Sequence, residues 1–567
     1  MAIHKVRRGG RVYLSEYKKI REGKKVKSVF VRYLGPEDHV KQGKKPKRRV
    51  LDRIQLSQSH RAGDIRLLWK VAEDLDLVNS IDRICCEKSD ISGPSPGKFL
   101  TMWAINRVLD PESCTRLERW VPTTDLPLLA GVEPELCTKD AFLSSMDFVC
   151  YSDPGSDRKV DHTVTIDELL YHRWRSRHPL PPGDRETVAY DLTSVLFFGV
   201  SCPLAELGYN TKGVRRHQVN LALLVSRYDK YPITHFVYGG SRNIASTVKN
   251  LLVRLMDAGV EKGTIIWDRG NVSKDHVKLV EDAGWKLICG VPATSKEACA
   301  FLDSSEVPVT PEAFVQRSKT GHIYAVKTKG QLFGRERSVV VCINEERRSG
   351  RMNDQNEVLA WIGEELDKLS VRGQGWSEAA LHKEIKGIVG SLEDLVHVRV
   401  KRIKGGVGPR IEWWFKTREI EDAARPQGKS LLLSTDESLP AKEVVRSYFE
   451  KDFVEKVFRM LKTDEEMEPV RHRLEHRVRA YLFVCVLAYH LLSTLHFRMK
   501  ATVKTDNVKV WEQTFDFLDD LGRVERAEIR FGNEVKTLYL NVSKSIGEML
   551  KKIGMKDLLK EESRLMV

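Results

Sequence analysis

Residues 188–198 read VAYDLTSVLFF, and this stretch decides the fold class of the chain. Its apolar and β-branched side chains predict a buried strand, and Asp191 is the single charged residue within it. A carboxylate inside such a strand is costly unless it is hydrogen-bonded, paired with a cation or bound to metal. Asp191 is therefore either a functional group or a strand-end residue that points to water.

The sequence after this strand predicts a mixed sheet. Four apolar strands and two amphipathic helices follow along the chain. The strands cover 218–226, 233–239, 264–267 and 286–291, and the helices cover 245–258 and 273–283. Three successive strands, followed by strands that alternate with helices, are typical of a sheet with antiparallel leading strands, as in RNase H-like folds. The predicted fold class is α/β with an RNase H-like mixed-sheet core.

Changes in composition divide the chain into six predicted regions. The first alternates β-favouring and basic residues and ends in a cationic linker at 41–49, and the second shows helical spacing. The regions are a basic β-hairpin arm with its linker (1–58), a helical DNA-binding region (59–185), the first part of the core (186–300), a β-rich insertion (301–440), the second part of the core (441–500) and a small C-terminal α/β domain (501–567).

The net charge of the chain indicates a polyanionic partner. Lys and Arg exceed Asp and Glu by 94 − 79 = 15 over the 567 residues. Residues 1–50 hold 17 Lys and Arg against 4 Asp and Glu, so an excess of 13 lies in the arm. Such a cluster is typical of nucleic-acid binding, although a solvated tail can have the same composition.

Several features argue against secreted and membrane proteins. The first residues lack the apolar segment of a secretory signal, and the longest apolar stretch, 481–492, is too short to span a bilayer. That stretch is predicted to be a buried helix. The ten cysteines form no CxxC pair, which argues against zinc ribbons and a disulfide framework. We therefore expect a cytoplasmic, nucleoid-associated protein with no membrane partner.

Asp268 is a second candidate functional carboxylate. It directly follows the predicted strand 264–267. Ligands and catalytic groups of α/β sheets gather at the carboxyl ends of strands, although an Asp at this position can also cap the following turn. Two strand-borne carboxylates in one sheet could together bind a divalent metal ion.

A predicted helix over 441–462 supplies the third candidate. At about 100° per residue, Tyr448, Lys451, Glu455 and Lys462 fall within roughly 60° of one another, opposite the apolar face of the helix. Glu443 and Glu450 fall outside this stripe by the same count. The stripe is either a functional face or a solvated face with i,i+4 charge pairs.

The stripe and its context resemble the DDE transposases of the insertion-sequence IS-four superfamily. The stripe is similar to the Tyr-(2)-Arg-(3)-Glu-(6)-Lys signature of that superfamily, with Lys451 in the Arg position. The basic N-terminal hairpin resembles one subgroup of these enzymes. Further similar stretches, in the same order along the chain, are YDLTSVLFFG (190–199), 208–218, WDRGNVS (267–273) and 447–492.

The resemblance implies a function and a set of site residues. It implies a cut-and-paste DNA transposase, and region 301–440 is similar to the β-rich insertion of the superfamily. The implied catalytic and metal-binding triad is Asp191, Asp268 and Glu455. The implied DNA-contacting residues are Tyr448, Lys451 and Lys462. Lys451 keeps the charge of the family's Arg but lacks its bidentate fork.

The implied chemistry requires a metal ion and DNA. Two Mg²⁺ ions, or Mn²⁺ as a substitute, can stabilise the attacking and leaving oxygens of a phosphodiester, and three carboxylates suit such ions. The implied partners are double-stranded DNA, namely the terminal inverted repeats and the target, and a second copy of the chain in a homodimer.

Two alternatives remain open from the sequence. A catalytically silent transposase relative would bind DNA without cutting it. A zinc metallopeptidase is suggested by His472, Glu475 and His476, which match the HxxEH pattern with both histidines on one face of a predicted helix. Stoichiometric zinc in the purified protein would favour the peptidase.

Overall fold

The computed structural model of the chain describes residues 2–565 with several gaps. The residues outside the description are 9, 23–24, 45–53, 57, 86–93, 153–158, 209, 211–212, 243–246, 319–320, 403–408, 464–466, 503–506, 532–533 and 561, together with 1, 566 and 567. Most of the predicted cationic linker at 41–49 therefore lies outside the described residues.

The strands are numbered in chain order. They are β1 (Ala2–Arg8), β2 (Arg11–Glu22), β3 (Lys25–Pro36), β4 (Ile54–Leu56), β5 (His60–Arg61), β6 (Cys150–Ser152), β7 (Lys159–Asp161), β8 (Thr187–Leu196), β9 (Glu206–Leu207), β10 (His217–Ser226), β11 (Pro232–Gly239), β12 (Thr264–Trp267), β13 (Lys286–Val291), β14 (Phe314–Ser318), β15 (Gly321–Leu332), β16 (Arg335–Asn344), β17 (Val396–Arg402), β18 (Pro409–Phe415), β19 (Lys429–Ser434), β20 (Glu525–Phe531), β21 (Glu534–Leu540) and β22 (Glu562–Leu565).

The helices are numbered in the same way. They are α1 (Glu37–Lys41), α2 (Gly63–Asp74), α3 (Leu77–Cys85), α4 (Pro96–Leu109), α5 (Cys114–Trp120), α6 (Leu126–Ala130), α7 (Lys139–Val149), α8 (Thr163–Arg177), α9 (Val248–Asp257), α10 (Lys274–Asp282), α11 (Lys296–Ser304), α12 (Glu345–Arg372), α13 (Glu378–Val389), α14 (Thr417–Ala424), α15 (Ala441–Glu450), α16 (Asp452–Thr463), α17 (Glu475–Thr502), α18 (Asn507–Gly522) and α19 (Lys544–Lys552).

The chain forms two compact units. The first comprises Met1–His60, Glu525–Asn541 and Leu559–Val567, and the second comprises Arg61–Val524 and Val542–Leu558. The first unit contains the three-stranded sheet β1-β2-β3 and a sheet in which β4, β20, β21 and β22 pair. This grouping differs from the predicted regional boundaries, because β20–β22 share a unit with the N-terminal arm while α18 and α19 belong to the second unit.

The second unit is built on a large mixed sheet, so the protein is of the α/β class. The strand order is β11-β10-β8-β12-β13-β19-β16-β15-β14, with β9 beside β10. Strands β8, β10 and β11 are antiparallel neighbours, whereas β12 runs parallel to both β8 and β13. The predicted strands that correspond to β10, β11, β12 and β13 are therefore confirmed, as are the predicted helices that correspond to α9 and α10.

The predicted insertion region adds strands to this same sheet. Strand β19 pairs with β13 on one side and with β16 on the other, so Leu432 lies opposite both Gly290 and Val340. This pairing continues the sheet through β16, β15 and β14. Strand β19 is apolar and buried over most of its length, which suits its position inside the sheet. Helices α12 and α13 and the hairpin β17-β18 pack together in a separate apolar cluster that includes Leu366 and Ile411.

Helix α17 contains the predicted buried stretch 481–492 and extends beyond it at both ends. Its length and composition would allow it to cross a membrane, but 94% of its apolar window is buried inside the protein. It packs against α4, α7 and β11. These contacts are those of a core helix, which confirms the prediction. Seven of the described cysteines, namely Cys114, Cys137, Cys150, Cys202, Cys289, Cys299 and Cys342, are free thiols.

The prediction of one helix over 441–462 is wrong, because two helices meet at Lys451. The amide of Lys451 donates to the Tyr448 carbonyl at 3.3 Å, and the amide of Val454 donates to the Lys451 carbonyl at 2.8 Å. Both bonds span three residues, so the chain tightens at this point. No Gly or Pro marks the position, and the break instead coincides with the tertiary contacts of the Lys451 side chain.

Candidate active site

Asp191 lies in the middle of β8, between β10 and β12. The residues before it, Val188 to Tyr190, are buried, and Asp191 itself is half-buried. Its carboxylate accepts a hydrogen bond of 2.8 Å from the amide of Leu192. The central position of β8 fixes this carboxylate on a rigid element, which is where a functional group can be held accurately.

Asp268 lies directly after β12, the parallel neighbour of β8. Its Oδ1 accepts hydrogen bonds from the amide of Arg269 at 2.8 Å and from the hydroxyl of Tyr448 at 2.9 Å. The first bond caps a short 3₁₀ turn over Arg269–Asn271. Asp268 therefore has the capping role considered from the sequence and also contacts α15.

Helix α15 is held against the sheet by its apolar face. Val444 and Val445 are buried in a cluster that includes Ile266 of β12, Ile288 of β13 and Leu432 of β19. This packing places Tyr448, one helical turn further on, beside the carboxyl ends of the parallel strands. At about 100° per residue, Val444 falls on the Tyr448 side of the helix, so the stripe side of α15 packs on the sheet. The prediction that the opposite face is the apolar one is therefore wrong for α15.

Lys451 brings the carboxylates together. Its ammonium lies 3.6 Å from Asp268 Oδ1 and 3.5 Å from Glu455 Oε1. The Lys451 side chain is 10% exposed, whereas those of Asp268 and Glu455 are 46% and 55% exposed. Asp191 is close enough to Lys451, Asp268 and Glu455 for all three to affect its pKa. Three acidic residues from three separate elements thus converge on one cation.

The pKa values reflect this arrangement. Burial raises the pKa of Asp191 to about 7, against the opposing effects of its backbone hydrogen bond and of Lys451. Burial also acts to raise the pKa of Asp268, but Lys451, the Arg269 amide and the Tyr448 hydroxyl together hold it below its usual value. Burial acts to lower the pKa of Lys451, yet the surrounding carboxylates raise it overall. The group is therefore electrostatically coupled.

Gly290 of β13 makes room for Tyr448. A methyl group at position 290 would lie 2.5 Å from the Tyr448 hydroxyl oxygen and 3.2 Å from Cβ of Arg269. No real Cβ tolerates such a contact, so only glycine allows the tyrosine to reach Asp268 without a shift. The sequence pattern shows Gly290 only as part of an apolar strand, and its role is visible only in the fold.

The three residues predicted to contact DNA all have partners within the protein. Tyr448 donates to Asp268, and Lys451 pairs with the carboxylates as described. Lys462 donates a hydrogen bond to the Ser194 carbonyl of β8 and lies 3.5 Å from Glu468. Their predicted DNA contacts stay predictions, and any such contact would have to share or replace these partners.

Glu443 and Glu450 lie apart from the converging carboxylates. Both pair with Arg227, which follows β10, and Arg227 Nη1 lies 3.0 Å from Glu443 Oε1. Glu450 is an exposed residue rather than part of the apolar face, because it ends α15. Its ion pair with Arg227 turns it away from Lys451, so Glu455 is the glutamate that joins Asp191 and Asp268.

Asp452 was missed by the sequence argument. It begins α16 and is close enough to Asp268, Lys451 and Glu455 to interact electrostatically with each, and burial raises its pKa. By the count used for the stripe, Asp452 lies about 40° from Tyr448, at the border of the stripe, so the helical periodicity could have identified it.

The HxxEH pattern does not form the helical site expected of a zinc peptidase. Helix α17 begins at Glu475, so His472 precedes the helix instead of sharing its face with His476. His476 lies 3.2 Å from Asp147, and Glu475 pairs with Lys159 and Arg479. The predicted common helical face is therefore wrong, because the helix starts three residues later than that pattern requires.

A divalent cation fits the donor set around Lys451. Asp191 is a half-buried carboxylate that accepts a hydrogen bond from its neighbouring amide, and Asp268 and Glu455 remain open to solvent. Mg²⁺ usually binds one or two carboxylates and keeps several waters, so it does not require a closed protein cage. Another possible set of metal ligands lies outside this site. In the part of the chain that the structure describes, His322, Glu345 and Glu346 have ligand atoms that all lie within 4.8 Å of one another.

A cavity of about 780 Å³ opens beside Glu455. Phe449 and Phe453 line it from the two helices, and Trp511 lines it from α18. Its charged lining residues include Lys456 and Glu455. Of the three converging carboxylates, Glu455 therefore borders a space large enough for a small ligand or part of a larger one.

Comparison with known proteins gives distant structural similarity alone. No protein-family model and no curated protein matches the chain. Among solved structures, the cryo-EM structure of the piggyBac transposase synaptic complex with hairpin DNA is similar to this chain with a TM-score of 0.39 and 12% sequence identity. The similarity covers 82% of this chain and 84% of that one. A TM-score this low does not establish a common fold, so the site residues of this chain must carry the functional conclusion.

Proposed function

We propose that this protein is a DNA transposase that cleaves and joins phosphodiester bonds with the help of a divalent metal ion. The observation that carries the proposal is the convergence of Asp191, Asp268 and Glu455 around Lys451. These carboxylates come from β8, the end of β12 and α16, which are far apart in sequence. Acidic residues from separate elements that share one cation beside the carboxyl end of a strand are typical of a functional site rather than of a structural ion pair.

The strand order supports an RNase H-like core. Strands β8, β10 and β11 are successive antiparallel neighbours, and β12 and β13 continue the sheet on the other side of β8 in parallel. This arrangement has the mixed order predicted from the sequence. The two aspartates then lie on the neighbouring strands β8 and β12, which is where two residues of one metal site need to be.

Each residue of the group would have a distinct role. Asp191, Asp268 and Glu455 would hold Mg²⁺ or Mn²⁺, which would stabilise charge on the attacking and leaving oxygens and activate water. Tyr448 would orient Asp268 through its hydroxyl, and Gly290 leaves the space that this contact requires. Lys451 would neutralise the carboxylates before DNA and metal bind, and its ammonium could then pair with a phosphate.

The partners follow from this chemistry. Double-stranded DNA with terminal inverted repeats would be the substrate, and a second duplex would be the target. We also propose that two copies of the chain act together on the two ends, in the cytoplasm beside the nucleoid. The basic arm supports a DNA partner because its charge complements phosphate.

The test is a nicking assay with a matched pair of glutamate variants. Labelled duplexes from both sides of the reading frame, including any inverted repeats, are incubated with the full-length protein and Mg²⁺ or Mn²⁺. We expect Glu455→Gln to lose metal-dependent cleavage and to keep DNA binding. Glu450→Gln should keep both, because Glu450 pairs with Arg227 away from the carboxylates.

Two results would contradict the proposal. Cleavage by Glu455→Gln at the wild-type rate would remove Glu455 from the site. Binding without any cleavage by the wild-type protein, with either metal and with every flanking duplex, would favour the catalytically silent relative. In that case Lys451 would be a permanent counter-ion of the carboxylates rather than a residue displaced on binding.

A further inference from the structure

The N-terminal sheet has two faces of different composition. Because side chains alternate along a strand, the register of the pairs assigns each residue to a face. Tyr17 pairs with Phe30 across β2 and β3, and Ser15 pairs with His4 and with Tyr33. We call this side the aromatic face; its ring-bearing members are His4, Tyr13, Tyr17, Phe30 and Tyr33.

The rings of the aromatic face contact one another and remain open to solvent. His4 and Tyr17 have ring centroids 4.3 Å apart, and Tyr17 and Phe30 meet edge to face at 5.6 Å. Phe30 is 54% exposed and Tyr33 is 43% exposed. Large aromatic side chains gain much from burial, so an exposed row of them across three strands indicates a surface that binds a partner.

The charges on this face are all basic. Arg11, Lys19 and Arg21 of β2 share it and are exposed, and the register places no acidic residue of the described strands on it. The acidic residues of this region are used elsewhere. Glu16, on the opposite face, pairs with Arg32 at 2.6 Å, and Glu37 of α1 pairs with Lys5 at 2.8 Å. A cationic and aromatic face is complementary to a polyanion that carries flat, partly apolar bases.

The dimensions of the sheet suit duplex DNA. Strands β2 and β3 each have 12 residues. At roughly 3.3 Å per residue such a ribbon is about 40 Å long, comparable with one turn of B-DNA at about 34–36 Å. The major groove, about 12 Å wide, admits a two-stranded β-ribbon. Beyond Tyr17, β2 pairs with β3 alone, so the strand ends Lys18–Glu22 and Lys25–Val29 form a two-stranded ribbon that can enter the groove.

We infer that the aromatic face of β2 and β3 docks in the major groove of the transposon-end DNA. In this arrangement Lys19 contacts phosphate, and Phe30 meets base edges such as thymine methyl groups. The inference rests on the proposed function for the identity of the DNA. It goes further because it names the face, the groove and the residues that recognise the ends.

The sheet offers two matched pairs of variants. Lys18 and Lys19 are neighbours on β2 with the same charge and similar exposure, but they project from opposite faces. Val29 and Phe30 are neighbours on β3 that also project from opposite faces, and they are 45% and 54% exposed. In each pair, only the second residue belongs to the aromatic face, so the first controls for charge, exposure and strand position.

The experiment measures binding of the full-length protein to labelled duplexes by fluorescence anisotropy at several salt concentrations. The probes are a flanking-end duplex, a scrambled duplex of equal composition and the single strand of the end. Lys19→Ala should lower the slope of log affinity against log salt by about 0.9, the value for one lost phosphate contact, and Lys18→Ala should leave it unchanged. Phe30→Ala should reduce the preference for the end duplex by about 5-fold or more, and Val29→Ala should preserve it.

The outcomes separate this inference from the proposed function. Equal effects within each pair, or tighter binding of the single strand than of the duplex, would overturn docking in the groove. Loss of binding in a variant counts only if its thermal unfolding matches that of the wild type. If Lys19→Ala and Phe30→Ala bind normally while Glu455→Gln still abolishes cleavage, the face is wrong and the proposed function stands. If no duplex binds at all, both fail.

Discussion

Two groups of charged side chains lie along β8, and they differ in how fully their charges are satisfied. At its beginning, Glu186 and Asp229 are almost completely buried and share Arg175, at 2.8 Å and 3.0 Å. Tyr171 and Ser226 also donate to Glu186. In the middle of β8, Asp191 belongs to the group around Lys451, whose other carboxylates, Asp268 and Glu455, are about half exposed.

The difference separates a structural cluster from the one that we propose to be functional. The cluster around Arg175 has hydrogen-bond donors for both carboxylates and no access for a ligand, so it ties α8 to the sheet. The group around Lys451 has fewer donors, open carboxylates and an adjoining cavity. Buried charge alone does not indicate a function; the informative feature is a converging set of charges that solvent and ligands can still reach.

The largest expected effect comes from the buried cluster. Arg175→Ala should reduce the free energy of unfolding by about 3–5 kcal/mol, because two carboxylates would remain buried without their cation. Lys451→Met should change it by less than about 1 kcal/mol, because Asp268 and Glu455 can be solvated when the ammonium is removed. Urea unfolding of the full-length variants, followed by circular dichroism, measures both. Equal losses would erase the distinction between the clusters.

A smaller effect is expected where the open group depends on close packing. Gly290→Ala should cost about 1–3 kcal/mol, because the new methyl group overlaps the Tyr448 hydroxyl. Tyr448→Phe should relieve part of this cost, so the double variant should be more stable than the sum of the single changes predicts. Gly387→Ala is the control, since nothing lies within 4 Å of a methyl group there. Additive costs would show that Gly290 does not position Tyr448.

A pH-dependent effect comes from a buried group outside both clusters. His496 stacks on Trp511 at 4.0 Å, and burial lowers the pKa of its imidazole to about 3. The unfolded chain protonates this histidine near pH 6.5 and the folded chain only near pH 3, so stability falls as the pH decreases between these values. The slope contributed by His496 should reach about 1.4 kcal/mol per pH unit.

The measurement is urea unfolding between pH 4 and 7 for the wild type and His496→Gln. The variant should lose the part of the pH dependence that His496 contributes, whatever its stability at pH 7. An unchanged pH dependence would mean that His496 titrates normally in the fold. This background must be known before the pH profile of cleavage is assigned to the carboxylates of the open group.

Much of the core could be predicted from the sequence because its signals are local. The apolar runs of β10, β12 and β13 mark strands, and Asp268 follows one of them directly. The periodicity identified the buried face of α16, which includes Val454, Val457 and Leu461. Glu455 could be selected because it lies four residues from Lys451, and the observed Lys451–Glu455 ion pair has that spacing.

The remaining features depend on contacts between distant residues. The partners of Lys451 could not be predicted, because a helical wheel gives the direction of a side chain but not what lies opposite. The break before Asp452 has no local signal. The pairing of β19 with β13 and β16, and of β4 with β20, joins segments that are far apart in sequence, and strand patterns alone do not specify such partners.

Binding of Mn²⁺ tests the central claim, that Asp191, Asp268 and Glu455 form a metal site, most directly. Electron paramagnetic resonance can follow Mn²⁺ titrated into the full-length protein with a flanking duplex, without any cleavage. The titration should use a His322→Ala background, which disrupts the close group at His322, Glu345 and Glu346.

In that background, we expect the otherwise unaltered protein and Glu450→Gln to bind Mn²⁺ alike. Asp191→Asn should lose this binding while unfolding at the same urea concentration. If Asp191→Asn binds Mn²⁺ with undiminished affinity and stoichiometry, the three carboxylates are not a metal site, and the proposed chemistry is wrong.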